Sequence, residues 1–357
     1  MSRMDGQNYA PTGKPAPVCE KGEYLVGVIG LDHGHIYGMC NGLCEAGADV
    51  VSVWDPDLEK VKAFVKAFPS AVVANTKEEI LQNPSIHFIA AAAIPSDRGA
   101  IGLAALDAGK DFFTDKPPFT TFEQVQAARS KVKETGGKWF VYYSERIHVE
   151  SAVWAEELLA QGAIGDLVSL RGWGPHRLAA HSRPQWFFEK EHYGGIIIDI
   201  GSHQVEQMLF YSGATDATVV SSRVGNLNNP QYPGLEDYGD VCLTTDTGVA
   251  CYFTLDWFTP DGLGTWGDGR FFLIGTKGYI ELRKYIDVAA SSDGDTVILV
   301  NDEGEQRFNV GGEVGFPFFG RLIRDSLDRT ETAMSQEHAF RAIEIAIEAQ
   351  AKAQKLR

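Results

Sequence analysis

The sequence predicts two domains of different class: an α/β doubly wound parallel sheet, then an α+β domain built on a largely antiparallel sheet. Three observations predict this. Short apolar runs alternate with helical stretches from Glu23 to Tyr143, the rhythm of strand–helix–strand units. From Ala217 to Val310 strand follows strand, with turn signals such as Asp246-Thr-Gly248 and Thr276-Lys-Gly278 between them, as antiparallel pairing requires. At 357 residues the chain is also longer than one hydrophobic core usually serves. The expected division is an irregular arm at 1–22, a doubly wound domain at 23–145 and an α+β domain at 146–357.

Composition narrows the class. Apolar residues at 44% and charged residues at 22% are those of a soluble globular protein. A formal net charge of −16 argues against nucleic acid or an anionic membrane as partner. No stretch approaches the ~20 apolar residues of a membrane span. The first 22 residues lack the apolar core of a signal peptide. Five cysteines are few, odd in number and without metal-ligand spacing, so a reduced, cytoplasmic protein is expected.

In order, the first half reads as follows. Tyr24–Ile29 is a short apolar run ended by Gly30, and His35–Ala46 reads as a helix stopped at Gly47. Asp49–Trp54 is a second strand and Leu58–Ala67 a helix. Val72–Val73, His87–Ala93, Asp111–Thr114 and Trp139–Tyr143 read as strands. Lys77–Leu81, Ser96–Ala108 and Thr121–Thr135 read as the helices between them. In the second half Val149–Gln161 looks helical and Leu167–Trp173 a strand. Residues 196–211 read as a helix, followed by strands at 217–224, 238–245, 249–257, 270–274, 279–283, 296–300 and 305–309. Helices at 317–329 and 335–353 close the chain. The strand at Val249–Phe258 alternates poorly and Phe271–Ile274 is apolar on both faces, which marks the sheet as a candidate subunit interface.

The segment Gly30-Leu-Asp-His-Gly-His35 sits where a strand-to-helix turn would aim helix N-terminal amides at a pyrophosphate. Of the G-x-G-x-x-G positions only Gly30 is kept; Asp32 and His35 fill the other two, with Gly34 one place early. Asp55, just past the second strand, can accept hydrogen bonds from an adenosine ribose and would repel a 2′-phosphate, favouring NAD. It could equally be a turn Asp before Pro56. Asp32, His33 and His35 have the chemistry of metal ligands too. No other His/Cys/Asp cluster in the sequence supports a metal, so none is expected, and these side chains are read as lining the pyrophosphate or capping the helix.

Two further stretches carry chemistry. Lys116, in Thr114-Asp-Lys-Pro117, is presented at the carboxyl end of a strand, where open α/β sheets bind ligands. In Tyr193-Gly-Gly-Ile-Ile-Ile-Asp-Ile-Gly-Ser-His203, Asp199 and His203 stand four apart. On one helix they would share a face, and the carboxylate could orient an imidazole acting as general base. The bland alternative is a solvated helix pair.

These elements, in this order, resemble the Gfo/Idh/MocA family of NAD(P)-dependent sugar and polyol oxidoreductases over roughly residues 23–353. Asp115-Lys-Pro117 looks like the family's Glu-Lys-Pro, and residues 193–203 like its Gly-Gly-Gly-x3-Asp-x-Gly-x-His. Asp115 for Glu, Tyr193 for the first Gly and the depleted phosphate loop are departures. The resemblance implies a dinucleotide-binding Rossmann domain followed by a domain for substrate and oligomerisation. It implies NAD bound by Gly30, Asp32, His33, Gly34, His35, Asp55, Pro95, Lys116 and Trp186, and catalysis by Lys116, Asp199 and His203. The implied reaction oxidises a secondary hydroxyl of a sugar, glycoside or polyol, with C3 of a glucoside favoured. An NAD-retaining hydrolase or lyase working through a transient keto-sugar, or a non-catalytic sugar-binding relative, are the alternatives. A homo-oligomer assembled through the second-half sheet is expected. Trp186, Trp257 and Trp266 are candidates to stack on the sugar or to be simple core.

Overall fold

The computed structural model describes residues 6–356. The first half alternates strictly: β1 (Leu25–Ile29), α1 (His35–Glu45), β2 (Asp49–Trp54), α2 (Leu58–Ala67), β3 (Val72–Val73), α3 (Lys77–Gln82), β4 (Phe88–Ala91), α4 (Pro95–Asp107), β5 (Asp111–Asp115), α5 (Phe122–Thr135) and β6 (Trp139–Tyr142). All six strands are parallel, in the order β3-β2-β1-β4-β5-β6. The near-continuous burial of β1, β4, β5 and β6 reflects a sheet covered on both faces. Helix starts follow local chemistry: Asp57 caps α2, Thr76 caps α3, and Thr121 with Gln124 forms a capping box on α5.

After β6 come α6 (Ser144–Ile147), α7 (Glu150–Ala160), β7 (Leu167–Pro175), α8 (Lys190–Tyr193), α9 (Ile196–Asp199) and α10 (Gly201–Ser212). Then β8 (Ala217–Gly225), β9 (Tyr238–Thr245), β10 (Ala250–Asp256), β11 (Arg270–Gly275), β12 (Gly278–Arg283), β13 (Thr296–Asn301) and β14 (Gly304–Asn309) run in succession. α11 (Pro317–Asp328), α12 (Gln336–Lys352) and β15 (Gln354–Lys355) end the chain. The nine-stranded sheet has the order β14-β13-β12-β11-β7-β10-β9-β8-β15. It is mixed rather than purely antiparallel, because β10 pairs with β7 and β15 with β8 in parallel. Helices α7, α9 and α10 pack on one face. Along β10 Cys251, Phe253 and Leu255 are buried while Ala250, Tyr252, Thr254 and Asp256 are not, so this strand alternates in burial although its composition disguises it.

The chain forms two compact units, cut between Tyr142 and Tyr143 where the sequence rhythm changes, but with two segments assigned differently from the sequence expectation. The first holds Gln7–Tyr142 and Phe316–Phe340; the second holds Gly6, Tyr143–Gly315 and the chain from Arg341. Specific bonds draw Phe316–Phe340 into the first unit. The Trp139 amide donates to Gln336 Oε1 at 2.7 Å, Arg329 pairs with Asp111, and Phe318 and Phe319 pack on Phe113. The lead-in from Gln7 joins the same unit: the Gly13 amide donates to the Glu45 carboxylate, and the amides of Ala16 and Val18 donate to the Glu45 and Ala46 carbonyls.

Candidate active site

In the first unit the strand order reverses between β1 and β4, the crevice where open α/β sheets hold nucleotides. The loop from β1 to α1 turns at Gly30, whose φ of +87° suits glycine. Its neighbours tie it to both flanking strands: the Gly30 amide donates to Trp54 O at 3.1 Å and the His33 amide to Ala92 O at 2.8 Å. α1 begins at His35, whose amide donates to His33 Nδ1 at 3.3 Å, while the amides of Ile36 and Tyr37 donate to the His33 and Gly34 carbonyls; the helix dipole there still favours an anion. Asp32, in the place of the second fingerprint glycine, turns its carboxylate to Lys60 Nζ at 2.6 Å and to the Ile94 amide at 3.3 Å, just before Pro95 opens α4. Its charge is thereby balanced within the unit. Gly34 is glycine for a different reason: a Cβ there would lie 2.3 Å from the Gln7 carbonyl oxygen. The lead-in segment, not a phosphate, sets that requirement.

Asp55 ends β2 almost wholly buried. One carboxylate oxygen accepts the Leu31 amide at 2.6 Å and the other the Asp57 amide at 2.8 Å. Each oxygen keeps a lone pair for a ribose hydroxyl. Burial raises its pKa against those two amides. The residues present therefore fit a dinucleotide, whose ribose Asp55 would hold and whose pyrophosphate would lie near the start of α1.

At the end of β5, Asp115 is fully buried and gathers three hydrogen-bond donors, with the His33 imidazole close beside it. His35 Nδ1 lies 2.8 Å from Oδ1, the Lys116 amide donates to Oδ1 at 2.8 Å, Arg98 Nη2 lies 3.0 Å from Oδ2, and His33 Nδ1 lies 3.3 Å from Oδ2. Burial alone would raise the Asp115 pKa; the charges of His35, Arg98 and His33 hold it well below the usual carboxylate range. Burial and the neighbouring His35 push His33 the other way, well below an ordinary histidine. The Arg98 guanidinium also donates to the carbonyls of Lys116, Pro117 and Ala93. Lys116 thus hangs from a backbone clamped on both sides. The shorter Asp115, where the family pattern has Glu, reaches its partners because two imidazoles and a guanidinium come to it. His33, His35 and Asp115 bring ligand-type atoms within 4.8 Å of one another, but Arg98 and Lys116 beside them supply the positive charge a cation would otherwise bring.

In the second unit the expected single helix at 196–211 is broken. α9 ends at Asp199, Ile200 intervenes, and α10 starts at Gly201. Asp199 and His203 remain one turn apart across that break, both nearly buried. His203 packs edge-on to Tyr143 at 6.2 Å. The segments after β7 and β10 lock together: His176 packs on Trp266 at 4.5 Å and on Trp257 at 5.3 Å, Trp266 on Tyr285 at 4.3 Å, and the Arg183 guanidinium lies over Phe187 and Trp257. Trp257 and Trp266 are buried in this cluster, so they are largely core. Trp186 is less buried, and its indole N–H lacks a partner within the protein.

Sequence reasoning missed Arg98, Lys60 and a buried set made of Glu145, Gln204, Gln207 and Lys284. Only one sign of the last was legible: charged Glu145 and Arg146 interrupt an otherwise apolar junction after β6.

A Rossmann unit with an ordered dinucleotide loop, joined to a unit carrying a buried Asp and His on an α+β scaffold, defines an NAD(P)-dependent oxidoreductase. The family comparisons agree with that class. Residues 25–143 match the oxidoreductase family NAD-binding Rossmann fold and residues 153–281 the GFO/IDH/MocA C-terminal domain. The chain is 30% identical over 287 residues to scyllo-inositol 2-dehydrogenase (NAD(+)) of Bacillus subtilis strain 168, covering 78% of this chain and 80% of that one. It is 25% identical over 203 residues to levoglucosan dehydrogenase of Pseudarthrobacter phenanthrenivorans, about half of each chain (53% and 52%). Among solved structures, a putative oxidoreductase from Erwinia carotovora atroseptica superposes with a TM-score of 0.91 at 48% identity, over 94% of this chain and 100% of that one. The protein belongs to the Gfo/Idh/MocA oxidoreductase family. No helix among the described residues is long and apolar enough to cross a membrane.

Proposed function

We propose that this protein oxidises a secondary hydroxyl of a sugar, glycoside or polyol, with NAD as hydride acceptor and C3 of a glucoside as the favoured position. Family membership sets the reaction class, and curated relatives are named for inositol and levoglucosan. The observation that carries the reading is Lys116. It stands at the carboxyl end of β5 with its amide on Asp115 and its carbonyl on Arg98, so its backbone is rigidly held at the strand end where this fold binds ligands.

Bound NAD supplies the hydride acceptor at its nicotinamide. Lys116 donates a hydrogen bond to the substrate hydroxyl oxygen and stabilises the alkoxide charge that develops there. His203 takes the hydroxyl proton as general base. Asp199 orients the sugar or the imidazole. Pro95 and Trp186 complete the proposed cofactor contacts with Gly30, Asp32, His33, Gly34, His35 and Asp55. NAD is favoured over NADP because the buried Asp55 would meet a 2′-phosphate with like charge, and Lys60, the nearby cation, is already held by Asp32.

We further propose a cytoplasmic homo-oligomer built through the open face of the nine-stranded sheet. Trp173, Tyr279 and Val220 lie exposed on that face beside half-buried Phe272 and Ile274, interspersed with the ion pairs Arg270–Glu281 and Arg223–Asp240, a mixed aromatic and charged surface that a subunit interface can use. All five cysteines are free, which suits a reducing compartment. A panel of inositols, levoglucosan, aldoses and methyl glucosides, with NADH formation followed against NADP controls, tests the reaction. Keto-sugar or cleavage products without net NADH would favour the NAD-retaining alternative, and binding without turnover would favour a sugar-binding relative. Light scattering at micromolar concentration tests the assembly, and a monomeric mass would refute it.

A further inference from the structure

Behind His203 the second unit buries a charged pair that the reaction as described leaves unused. α6 carries Glu145 into the core and the residue after β12 is Lys284; they are 3% and 2% exposed. Glu145 Oε2 accepts from Lys284 Nζ at 3.1 Å, Gln204 Nε2 at 2.8 Å and Gln207 Nε2 at 3.4 Å. Lys284 Nζ also donates to Gln207 Oε1 at 2.6 Å, and Gln207 Nε2 donates to the His203 carbonyl at 3.0 Å. Gln204 and Gln207, one and four residues after His203 on α10, therefore tie the turn that follows it to one carboxylate. The space is built for it: a Cβ on Gly172 of β7 would fall 2.0 Å from Gln204 Oε1.

Stability does not account for this arrangement. A buried ion pair can often be replaced by apolar residues of similar volume without loss, because desolvation offsets the attraction. The Glu145 charge interacts with the imidazole. Burial pushes the Glu145 carboxyl up, yet Lys284 first, then His203 and His176, bring it down to about 2.

We propose that the Glu145–Lys284 pair is the positioning element of His203, its glutamine bridges fixing the α10 turn and its paired charges setting the electrostatic environment of the imidazole. The inference rests on the reading of His203 as general base. The other charged or titratable groups around that core are Asp199 one turn earlier, His176 from the end of β7, Tyr143 edge-on, Glu206 paired with Arg146 from α6, and Asp295, whose charge acts on Lys284 and whose carboxyl burial pushes up to about 6. These stay the same when the pair is altered. Glu145→Gln keeps the shape but leaves Lys284 unbalanced, disfavouring the imidazolium. Lys284→Met leaves Glu145 unbalanced, favouring it. The two variants push in opposite directions, which a packing role cannot do.

The test is a histidine-labelled NMR titration of the full-length protein saturated with NAD, the His203 resonance being the one lost in His203→Gln. The pH profile of kcat/KM is read alongside, with the alcohol that the substrate panel selects. In Glu145→Gln the His203 midpoint and the acid limb move down by roughly one pH unit, and in Lys284→Met both move up by a similar amount. The double variant returns close to wild type. Midpoints unmoved, or moved the same way in both single variants, overturn the proposal. If Glu145→Gln does not fold, Lys284→Met and the double variant decide it by the same criterion. Wild-type turnover in His203→Gln would overturn the base assignment instead, while the titration still decides whether the pair governs the imidazole.

Discussion

Two buried carboxylates lie behind two of the proposed catalytic residues, and they act by different means. Asp115 in the first unit is held by two imidazoles, a guanidinium and an amide, and the residue it secures is its immediate neighbour Lys116. Glu145 in the second unit has one ammonium and two side-chain amides, and the residue it serves is on another helix. The first cluster clamps backbone; the second holds a side chain's surroundings. A backbone clamp resists distortion but leaves little to tune. A carboxylate–ammonium pair is neutral overall, so either partner can be removed to change the field on His203 with the shape nearly kept.

The largest effects should come from these two proposed catalytic residues. Lys116→Ala and His203→Ala are each expected to lower kcat by roughly 10²–10⁴-fold while NAD binding, followed by calorimetry, stays close to wild type. Near-normal turnover in either would remove that residue from the chemistry. Next comes the clamp. Arg98→Met strips Asp115 of a fully buried partner and should cost about 3–5 kcal/mol in denaturant unfolding. A loss under ~1 kcal/mol would show that the imidazoles suffice.

Asp55→Ala should weaken NAD binding by about 1.5–3 kcal/mol, the worth of a charge-assisted hydrogen bond. It should also narrow the preference over NADP; a wild type that prefers NADP would contradict the ribose role. The smallest effect is a slope. Glu145 titrates at about 2 in the fold and near 4.3 when unfolded. Between those values the unfolded chain binds more protons, so stability rises with pH across that window and is lost as pH falls toward 2. Glu145→Gln should flatten the acid limb of the unfolding curve there. An unchanged limb would mean the carboxyl is not held down in the fold.

Local chemistry made the parallel sheet legible. Apolar runs, proline and glycine stops and caps such as Thr121 all act within a few residues, and observed elements begin and end close to their expected positions. Lys116, Asp199 and His203 each lie in a short motif that can be read locally, and their joint role is a proposal. What could not be read is which distant side chains meet. His35 finds Asp115 80 residues away, and Lys284 finds Glu145 at a separation of 139. Pairings of that range depend on packing that no window of sequence contains. The same holds for Gly34, whose missing side chain answers to the Gln7 carbonyl, and for the break at Ile200, invisible in an apolar run.

Passage of a carbinol hydride to NAD is the step on which the proposed reaction depends. With the active alcohol deuterated at its carbinol carbon, mass spectrometry of the released nicotinamide nucleotide tests it directly. The account predicts deuterium in the NADH, formed stoichiometrically with ketone by wild type and absent with His203→Ala. Product formed by wild type with no deuterated NADH released would contradict it.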